Sequence, residues 1–281
     1  MVNKLKSIHK YMNRNKISID YNVEPVEKKK VNLQYCNRDK NIGDLLSKVV
    51  VDYMLAKDGI NNTSKDTKHL FAIGSIIDFG SQDATIWGSG LLNNNARYKL
   101  AIDYKKGRKL DIRCVRGPYT KQILLNVGYE CPDVYGDPAI IMPLIYNPEV
   151  DKEYDVSVIT HIDNNGIADD LQDVNRINKI EIQTDDYKYF VAEIKKSKKI
   201  ISSSLHGIIL AEAYGVPAVF VARNVMNEIM KFYDWYESTD RADFLIASSV
   251  EMALEMEPMK LPKLGKMSEI IMDRFPYDIY L

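Results

Sequence analysis

The feature that most constrains the fold is an alternation of short β-rich segments with helical segments, which runs twice along the chain. In the first half the predicted strands are Val31–Cys36, His69–Ile73, Ala84–Trp87 and Asp111–Val115. In the second half they are Asp155–Thr160, Lys179–Gln183, Lys199–Ser202 and Ala218–Val221. Strands that alternate with helices form parallel sheets through right-handed crossovers. We therefore predict an α/β fold of two Rossmann-like domains that face each other across a cleft.

The helical segments carry their own signals. Asp44–Lys57 collects its apolar residues on one face, and Pro118–Val127 has proline in its first turn and Gly128 just past its end. Further helices are predicted at Tyr187–Lys196 and Gly207–Tyr214, and a last one at Leu264–Phe275 is expected to cross back to the first domain. The predicted division is a polar extension (1–29), two domains (30–147 and 148–262) and a C-terminal tail (263–281).

Composition limits the classes of partner. The net charge of −1 gives no broad positive field, which argues against a nucleic-acid partner. Three cysteines without metal-type spacing favour a reducing compartment and indicate neither a disulfide framework nor a metal site. The chain shows no signal-peptide pattern and no apolar run of about 18 residues, so a cytoplasmic protein is expected. The basic run Lys28–Lys30 would allow weak contact with anionic lipid at the inner face of the plasma membrane.

Glycines and polar side chains follow the predicted strands, at the sheet edge where α/β proteins bind ligands. Glycine lets backbone approach a ligand closely, and the N-terminus of the next helix favours an anion. The pattern is therefore typical of a pocket for a small phosphate or carboxylate, although none of its motifs is specific alone. The residues at these strand ends are Asn41, Gly43, Asp44, Gly74, Ser75, Gly88, Ser89, Gly90, Arg116, His161, Asp163, Ser202, Ser203, Ser204 and His206.

Two residue types at these ends suit the chemistry of an anionic substrate. Arg116 could hold a carboxylate or phosphate in a two-pronged contact. His206 and His161 could transfer protons near neutral pH. Asp44 and Asp137 could instead cap helices or brace turns. Trp235, with other aromatic residues of the segment 230–241, could stack on a sugar or simply pack in the core.

Seven short strings, in order along the chain, resemble the polysaccharide pyruvyl transferase family. They are NIGD, GSI, WGSGLL, VRGPYT, GDPAI, VITHID and SSSLHGIILAEAYGVPAVFV. The resemblance implies a glycosyltransferase-B-like pair of Rossmann-like domains, with the second domain binding the donor. It also implies transfer of pyruvate from phosphoenolpyruvate to a sugar hydroxyl pair, which forms a cyclic ketal in a bacterial capsule, exopolysaccharide or cell-wall glycan. The implied partners are phosphoenolpyruvate and a sugar acceptor that could be lipid-linked, and no cofactor or metal is required.

Carried over by position, Arg116 matches the family's arginine that meets the donor's charge, and Leu205–His206 match its leucine–histidine pair. Ser204 stands where family members often carry a further arginine, so we expect Arg113, Arg223 or a lysine to replace that cation. The predicted catalytic residues are His206, His161 and Asp44. The predicted donor-binding residues are Arg116, Ser203, Ser204, Leu205, Gly207, Gly88 and Ser89. The predicted acceptor-binding residues are Asn41, Asp163 and Trp235.

Two other functions fit the same architecture. One is a nucleotide-sugar-dependent glycosyltransferase, in which Glu212 would bind the ribose. The other is a non-catalytic subunit that binds a sugar or an anion in a polysaccharide assembly system, which the loss of a cation at Ser204 would favour. The sequence leaves open the acceptor sugar and the oligomeric state.

Overall fold

The computed structural model describes residues 31–36, 40–57, 68–160, 177–222 and 226–279. Two separate parallel sheets lie within these residues, one in each half of the chain. The mixed α/β class and the pair of parallel sheets are thus as predicted. The predicted polar extension (1–29) lies outside the described residues.

The first sheet is built from the four strands predicted for the first half. They are β1 (Val31–Gln34), β2 (Lys68–Phe71), β3 (Ala84–Trp87) and β4 (Leu110–Cys114). Their spatial order is the order of the chain, and every neighbouring pair is parallel. The accompanying helices are α1 (Ile42–Lys57), α2 (Ala96–Lys105) and α3 (Pro118–Val127). Because parallel strands end at one edge, the polar segments that follow β1 to β4 come together there.

The local signals of α1 and α3 explain their bounds. Helix α1 buries a stripe that includes Leu46, Val50 and Met54, each with no exposed surface. Helix α3 begins at Pro118 as predicted. It ends at Val127, and the φ of 116° at the next residue, Gly128, is left-handed and disfavours residues with a side chain. Both helix predictions are confirmed.

The second sheet has five parallel strands in the order β6-β5-β7-β8-β9. A 3₁₀ turn (Pro138–Ile141) and the short helix α4 (Met142–Ile145) precede it. The strands are β5 (Tyr154–Ile159), β6 (Ile177–Ile180), β7 (Ser197–Ser202), β8 (Ala218–Val221) and β9 (Ile246–Ala247). The helices are α5 (Tyr187–Lys195), α6 (Leu205–Ala213), α7 (Met230–Ser238) and α8 (Val250–Glu255).

One predicted strand is displaced along the chain. Strand β6 was expected at Lys179–Gln183, but it ends at Ile180. The next residues turn toward the first half of the chain instead: the carbonyl of Ile182 accepts a hydrogen bond from the Ile42 amide at 3.0 Å, and Gln183 forms an antiparallel bridge with Asn41. The backbone that would have extended the strand therefore holds the start of α1.

The two halves share a hydrophobic core. A single cluster of buried residues includes Leu46 and Ile73 from the first half and Ile208 and Ile209 from the second. Apolar contact thus joins the two halves of the chain, in part through helices α1 and α6. The cleft between two domains, and a boundary between residues 147 and 148, stay predictions.

The C-terminal segment packs on the first half, as predicted. Helix α9 (Gly265–Asp273) places the carbonyl of Ile271 2.8 Å from the Trp87 indole nitrogen, which donates a hydrogen bond to it. Phe275 meets the same indole edge-on, with ring centroids 4.8 Å apart. Arg113 adds a two-pronged contact to Asp278. The segment thus ties the end of the chain to strands β3 and β4.

Candidate functional site

The segments that follow the strands of the first sheet form one connected set of turns. The Ser89 hydroxyl and the Gly90 amide both donate to the Gly74 carbonyl at 2.9 Å. A side chain at Gly74 would begin 3.2 Å from the Asp44 carboxylate. A side chain at Gly88 would meet the Pro138 ring at 2.2 Å. The predicted strand-end residues of this half therefore lie together, with their glycines at points of close packing.

Asn41 and Asp44 stand at the first turn of α1. The Asn41 side-chain oxygen accepts the Gly43 amide at 3.0 Å, and its carbonyl accepts the amides of Asp44 and Leu45 at 3.2 Å. Asn41 therefore caps α1, and the first-turn amides of this helix already have acceptors. Asp44 is half-buried beside Gly74, where the positive end of the helix dipole stabilises its negative charge.

The serines between β7 and α6 build the turn that leads into the helix. The Ser202 hydroxyl accepts the Ser204 amide at 3.0 Å and donates to the Ser204 carbonyl at 2.9 Å. The Ser203 amide donates to the Ile159 carbonyl at 3.1 Å. A side chain at Gly207 would lie 2.5 Å from the Ser202 hydroxyl, so only glycine fits there. Ser202 thus shapes the turn, a role that the sequence did not indicate.

His206 is the residue at which both halves of the chain meet. Its side chain is 12% exposed, and Leu205 beside it is buried in the core. A side chain added to Gly43 would fall 2.0 Å from the His206 Nδ1 atom, so the imidazole lies directly against the first turn of α1. On its other side, Nε2 is 3.5 Å from Oδ2 of the fully buried Asp137. The NIGD, GDPAI and SSSLHG segments therefore converge on one imidazole.

Arg116 lies entirely inside the protein. Its two terminal nitrogens donate to the Ser75 hydroxyl at 2.6 Å and to the Leu91 carbonyl at 2.7 Å. Its Nε is 3.3 Å from Oδ2 of Asp234 on α7, and neither side chain has exposed surface. The predicted donor arginine is thus occupied by protein groups in this structure, and a direct contact with a donor would need some of these partners to be exchanged.

Asp234 is bound as tightly as the arginine. Its carboxylate accepts hydrogen bonds from the Thr120 amide at 3.0 Å and the Thr120 hydroxyl at 2.6 Å. Burial raises the pKa of Asp234, and the Arg116 charge opposes that shift. A side chain at Gly117 would reach 1.9 Å from the Asp234 carbonyl, so α7 packs directly on the backbone that follows Arg116. This contact joins the two halves of the chain a second time.

The aromatic segment predicted as an acceptor wall is core. Trp235 has no exposed surface, and its indole nitrogen donates to Glu212 at 2.9 Å. Tyr236 stacks on Phe244 with ring centroids 4.1 Å apart. The prediction that Trp235 stacks on a sugar is therefore wrong for this structure, because hydrophobic packing takes its faces. Glu212 also pairs with both terminal nitrogens of Arg241, so both of its oxygens already have protein partners.

A buried cation on α7 was missing from the sequence prediction. Lys231 is 6% exposed, and its ammonium group donates to Glu228 at 2.5 Å. Burial lowers the pKa of Lys231, and Glu228 opposes this shift. The charge of Arg116 lowers the pKa of this group further, and the charge of Asp44 raises it. The helical spacing of Lys231 and Asp234, three residues apart on α7, could have suggested a shared face.

The remaining predicted residues are buried in turns, paired with other side chains or outside the described part of the chain. Ser89, Ser203 and Ser204 are buried in the turns described above. Arg113 on β4 is paired with Asp111 and Asp278, and its role as a substitute cation stays a prediction. His161, Asp163 and Arg223 lie outside the described residues. Among the residues that the structure describes, no group of three histidine, cysteine or acidic side chains could hold a metal, and no helix has the length and hydropathy to cross a membrane.

Comparison with known proteins supports the family resemblance seen in the sequence. Residues 6–225 match the family model described as polysaccharide pyruvyl transferase. The chain is similar to the uncharacterized protein L143 of Acanthamoeba polyphaga mimivirus, with 28% identity over 220 residues, 74% of this chain and 74% of the relative. It is also similar to the succinoglycan biosynthesis protein ExoV of Rhizobium meliloti (strain 1021), with 27% identity over 207 residues, 70% of this chain and 61% of the relative. The chain thus spans less than two thirds of that second relative.

A solved structure supports the fold. The crystal structure of a functionally uncharacterized protein from Klebsiella pneumoniae subsp. pneumoniae NTUH-K2044 superposes with a TM-score of 0.52 and 13% identity. The superposition covers 83% of this chain and 98% of that protein. At this identity the likeness concerns the fold alone.

Proposed function

Because the chain belongs to the polysaccharide pyruvyl transferase family, we propose that it transfers pyruvate from phosphoenolpyruvate to two hydroxyls of a sugar and forms a cyclic ketal. The observation that carries the proposal is the position of His206. Its imidazole lies in the first turn of α6, against the first turn of α1, and opposite a buried carboxylate. A group that can give and recover protons thus stands where turns from both halves converge.

The proposed donor site is the first turn of α6. The N–H groups of Leu205, His206 and Gly207 occupy the positions at which a helix has no acceptor of its own, and the helix dipole favours negative charge there. Phosphoenolpyruvate carries a phosphate and a carboxylate, so it suits such an end. The buried cations Arg116 and Lys231 would add positive potential nearby. The role of Arg116 as a donor-binding residue stays a proposal.

We assign the proton transfers of this reaction to His206. The imidazolium gives a proton to the methylene carbon of phosphoenolpyruvate, which becomes a methyl group and leaves an oxocarbenium-like centre at the adjacent carbon. A sugar hydroxyl forms a C–O bond to that centre and returns its proton to the imidazole. The bond to phosphate breaks, and phosphate leaves with the bonding electrons. The second hydroxyl then closes the ring at the same carbon, and the released phosphate takes up its proton.

The acceptor side is proposed more generally. A polysaccharide or its precursor follows from the family, and ExoV is named as a succinoglycan biosynthesis protein. We propose that the hydroxyl groups of a sugar acceptor bind near the partly exposed Asn41. A lipid-linked glycan at the inner membrane face is one form that this acceptor could take. A nucleotide-sugar donor is less well supported, because Glu212, the residue suggested for its ribose, is bound by Trp235 and Arg241.

The test is a turnover assay with a matched control. Purified protein is incubated with phosphoenolpyruvate and a panel of lipid-linked and synthetic glycans, and phosphate release is followed together with product mass. We expect His206→Gln to reduce turnover by at least about 10²-fold, because glutamine cannot exchange the proton. His69→Gln should turn over normally, because His69 lies on β2 outside the converging turns. Normal turnover by His206→Gln, or no product with any glycan from the wild-type protein, would overturn the proposal.

A further inference from the structure

We infer that Asp137 is the positioning residue of His206: it holds the proton on Nε2 and leaves Nδ1 as the nitrogen that exchanges protons with the substrate. The inference rests on the proposed function and deepens it. It starts from two polar atoms that face each other. Within the described part of the chain, His206 Nε2 and Asp137 Oδ2 are both buried without a hydrogen-bond partner, and they are 3.5 Å apart.

A buried polar atom without a partner is destabilising, because it has lost its hydrogen bond to water and gained none in the protein. Here one atom can donate a hydrogen bond and the other can accept one, and the two face each other. We read them as the donor and acceptor of a single hydrogen bond that is longer than usual in this structure. Hydrogen bonds of catalytic groups are often long in the absence of substrate and tighten when it binds. A carboxylate can only accept, so the atom that donates in this pair is Nε2.

Asp137 is held rigidly enough to set the ring. Its Oδ1 accepts the Ala139 amide at 3.0 Å and caps the 3₁₀ turn, which fixes the direction of Oδ2. Behind it, Pro138 packs against Gly88, where an added side chain would meet the proline ring at 2.2 Å. Rotation of the carboxylate would break the Ala139 hydrogen bond, and a shift of the backbone would disturb the contact between Pro138 and Gly88. The two oxygens of Asp137 thus have different tasks, capping and orientation.

The opposite edge of the ring supports the same assignment. Gly43 has no side chain, and Nδ1 occupies the space in which one would begin. The ring is therefore clamped between the α1 backbone and the Asp137 carboxylate. Because Nε2 is buried and directed at that carboxylate, it cannot reach a substrate. Proton transfer through His206 must then use Nδ1, and a proton held on Nε2 keeps Nδ1 available for it.

The discriminating variant is Asp137→Asn, with Asp133→Asn as its control. Asparagine can still cap the 3₁₀ turn through its oxygen, but its amide group would then donate to Nε2 and move the ring proton to Nδ1. Asp133 is an exposed carboxylate four residues earlier, bound to Lys121 and Tyr135. We expect Asp137→Asn to reduce turnover by about 10²–10⁴-fold, as a misplaced imidazole proton does, and Asp133→Asn to leave it unchanged.

A spectroscopic readout separates this inference from the proposed function. Nitrogen-15 NMR of the imidazoles, with the His206 signals assigned by their loss in His206→Gln, reports which ring nitrogen carries the proton in the neutral form. We expect Nε2–H in the wild type and Nδ1–H in Asp137→Asn. A wild-type Nδ1–H form, or the same form in both proteins, would overturn the inference even if the enzyme is active. If the two proteins show the expected ring protonation but the wild type transfers no pyruvate, only the proposed function is contradicted. If Asp137→Asn does not fold, the wild-type spectrum decides.

Discussion

The buried pair Arg116–Asp234 makes the sharpest prediction about how the two halves of the chain are held together. In Asp234→Asn the side chain keeps its size, and its oxygen can still accept the Thr120 amide. The Arg116 guanidinium also keeps its bonds to Ser75 and Leu91. What disappears is the negative charge 3.3 Å from Nε, together with the oxygen that accepts the Thr120 hydroxyl at 2.6 Å. The variant therefore removes the charge and one hydrogen bond while the shape of the side chain stays the same.

The expected cost is large because neither group can reach water. Both side chains have no exposed surface, so Arg116 would stay charged in the interior without its counter-charge. Removing one partner of a buried ion pair typically costs about 3–5 kcal/mol. A single domain is commonly stable by only about 5–15 kcal/mol, so Asp234→Asn should remove a large share of the free energy of unfolding.

Urea unfolding followed by tryptophan fluorescence would measure this loss. The chain has two tryptophans. Trp87 lies in β3 and Trp235 in α7, and both are fully buried, so each reports on one half. Single-tryptophan backgrounds, Trp87→Phe and Trp235→Phe, separate their signals. We expect coincident transitions with aspartate at position 234 and, with asparagine, a lower midpoint and transitions that separate.

Glu237→Gln is the matched control. Glu237 lies on the same helix and also joins α7 to α3, through a 2.8 Å hydrogen bond from the Tyr119 hydroxyl, but the contact is exposed. Its loss should change the free energy of unfolding by less than about 1 kcal/mol. If Asp234→Asn costs no more than Glu237→Gln, the buried pair does not hold the halves together and the electrostatic reasoning fails.

Two further predictions concern a glycine and a carboxyl group. Gly43→Ala should abolish turnover by displacing His206, since the added carbon would lie 2.0 Å from Nδ1. In a His206→Ala background the same change should no longer lower the free energy of unfolding in urea. An equal loss of stability in both backgrounds would refute the contact. Burial raises the pKa of Asp78 to about 6, so the folded protein binds this proton more tightly than the unfolded chain, and stability is lost as pH rises from about 4 to 6. Asp78→Asn should therefore gain about 1–3 kcal/mol at pH 8 and nothing at pH 4, and an equal gain at both pH values would show that its charge is not the cause.

The parts of the fold that depend on local pattern could be predicted from the sequence. The strands of the first sheet and the proline and glycine that bound α3 were found because their signals lie within a few adjacent residues. Helix α2 was missed because it buries only Ala96, Leu100 and Asp103, so its apolar stripe is too weak to show a helical period. Strand β9 has two residues, too few for any alternation.

The partners of the site residues could not be predicted, because they come from distant parts of the chain. Arg116 was correctly placed at the end of β4, but nothing near it in sequence indicates that Asp234 of α7 neutralises it. The aromatic residues around Asp234 suggested a surface for sugars, yet aromatic residues at helical spacing pack equally well in a core. Tertiary packing decided between these two meanings of one pattern.

For Gly43 the sequence correctly predicted a close approach to the backbone, but the group that approaches is a side chain of the protein. A glycine at the start of a helix, at the edge of a parallel sheet, indicates that something approaches the backbone closely. The sequence suggested a ligand, whereas the structure places the His206 imidazole there. Because Gly43 has no side chain, the first turn of α1 can pack against the imidazole and hold it toward Asp137. If that ring is the proton donor, its geometry therefore requires both halves of the chain. On this argument neither half alone would hold His206 in place, although each contains a complete parallel sheet.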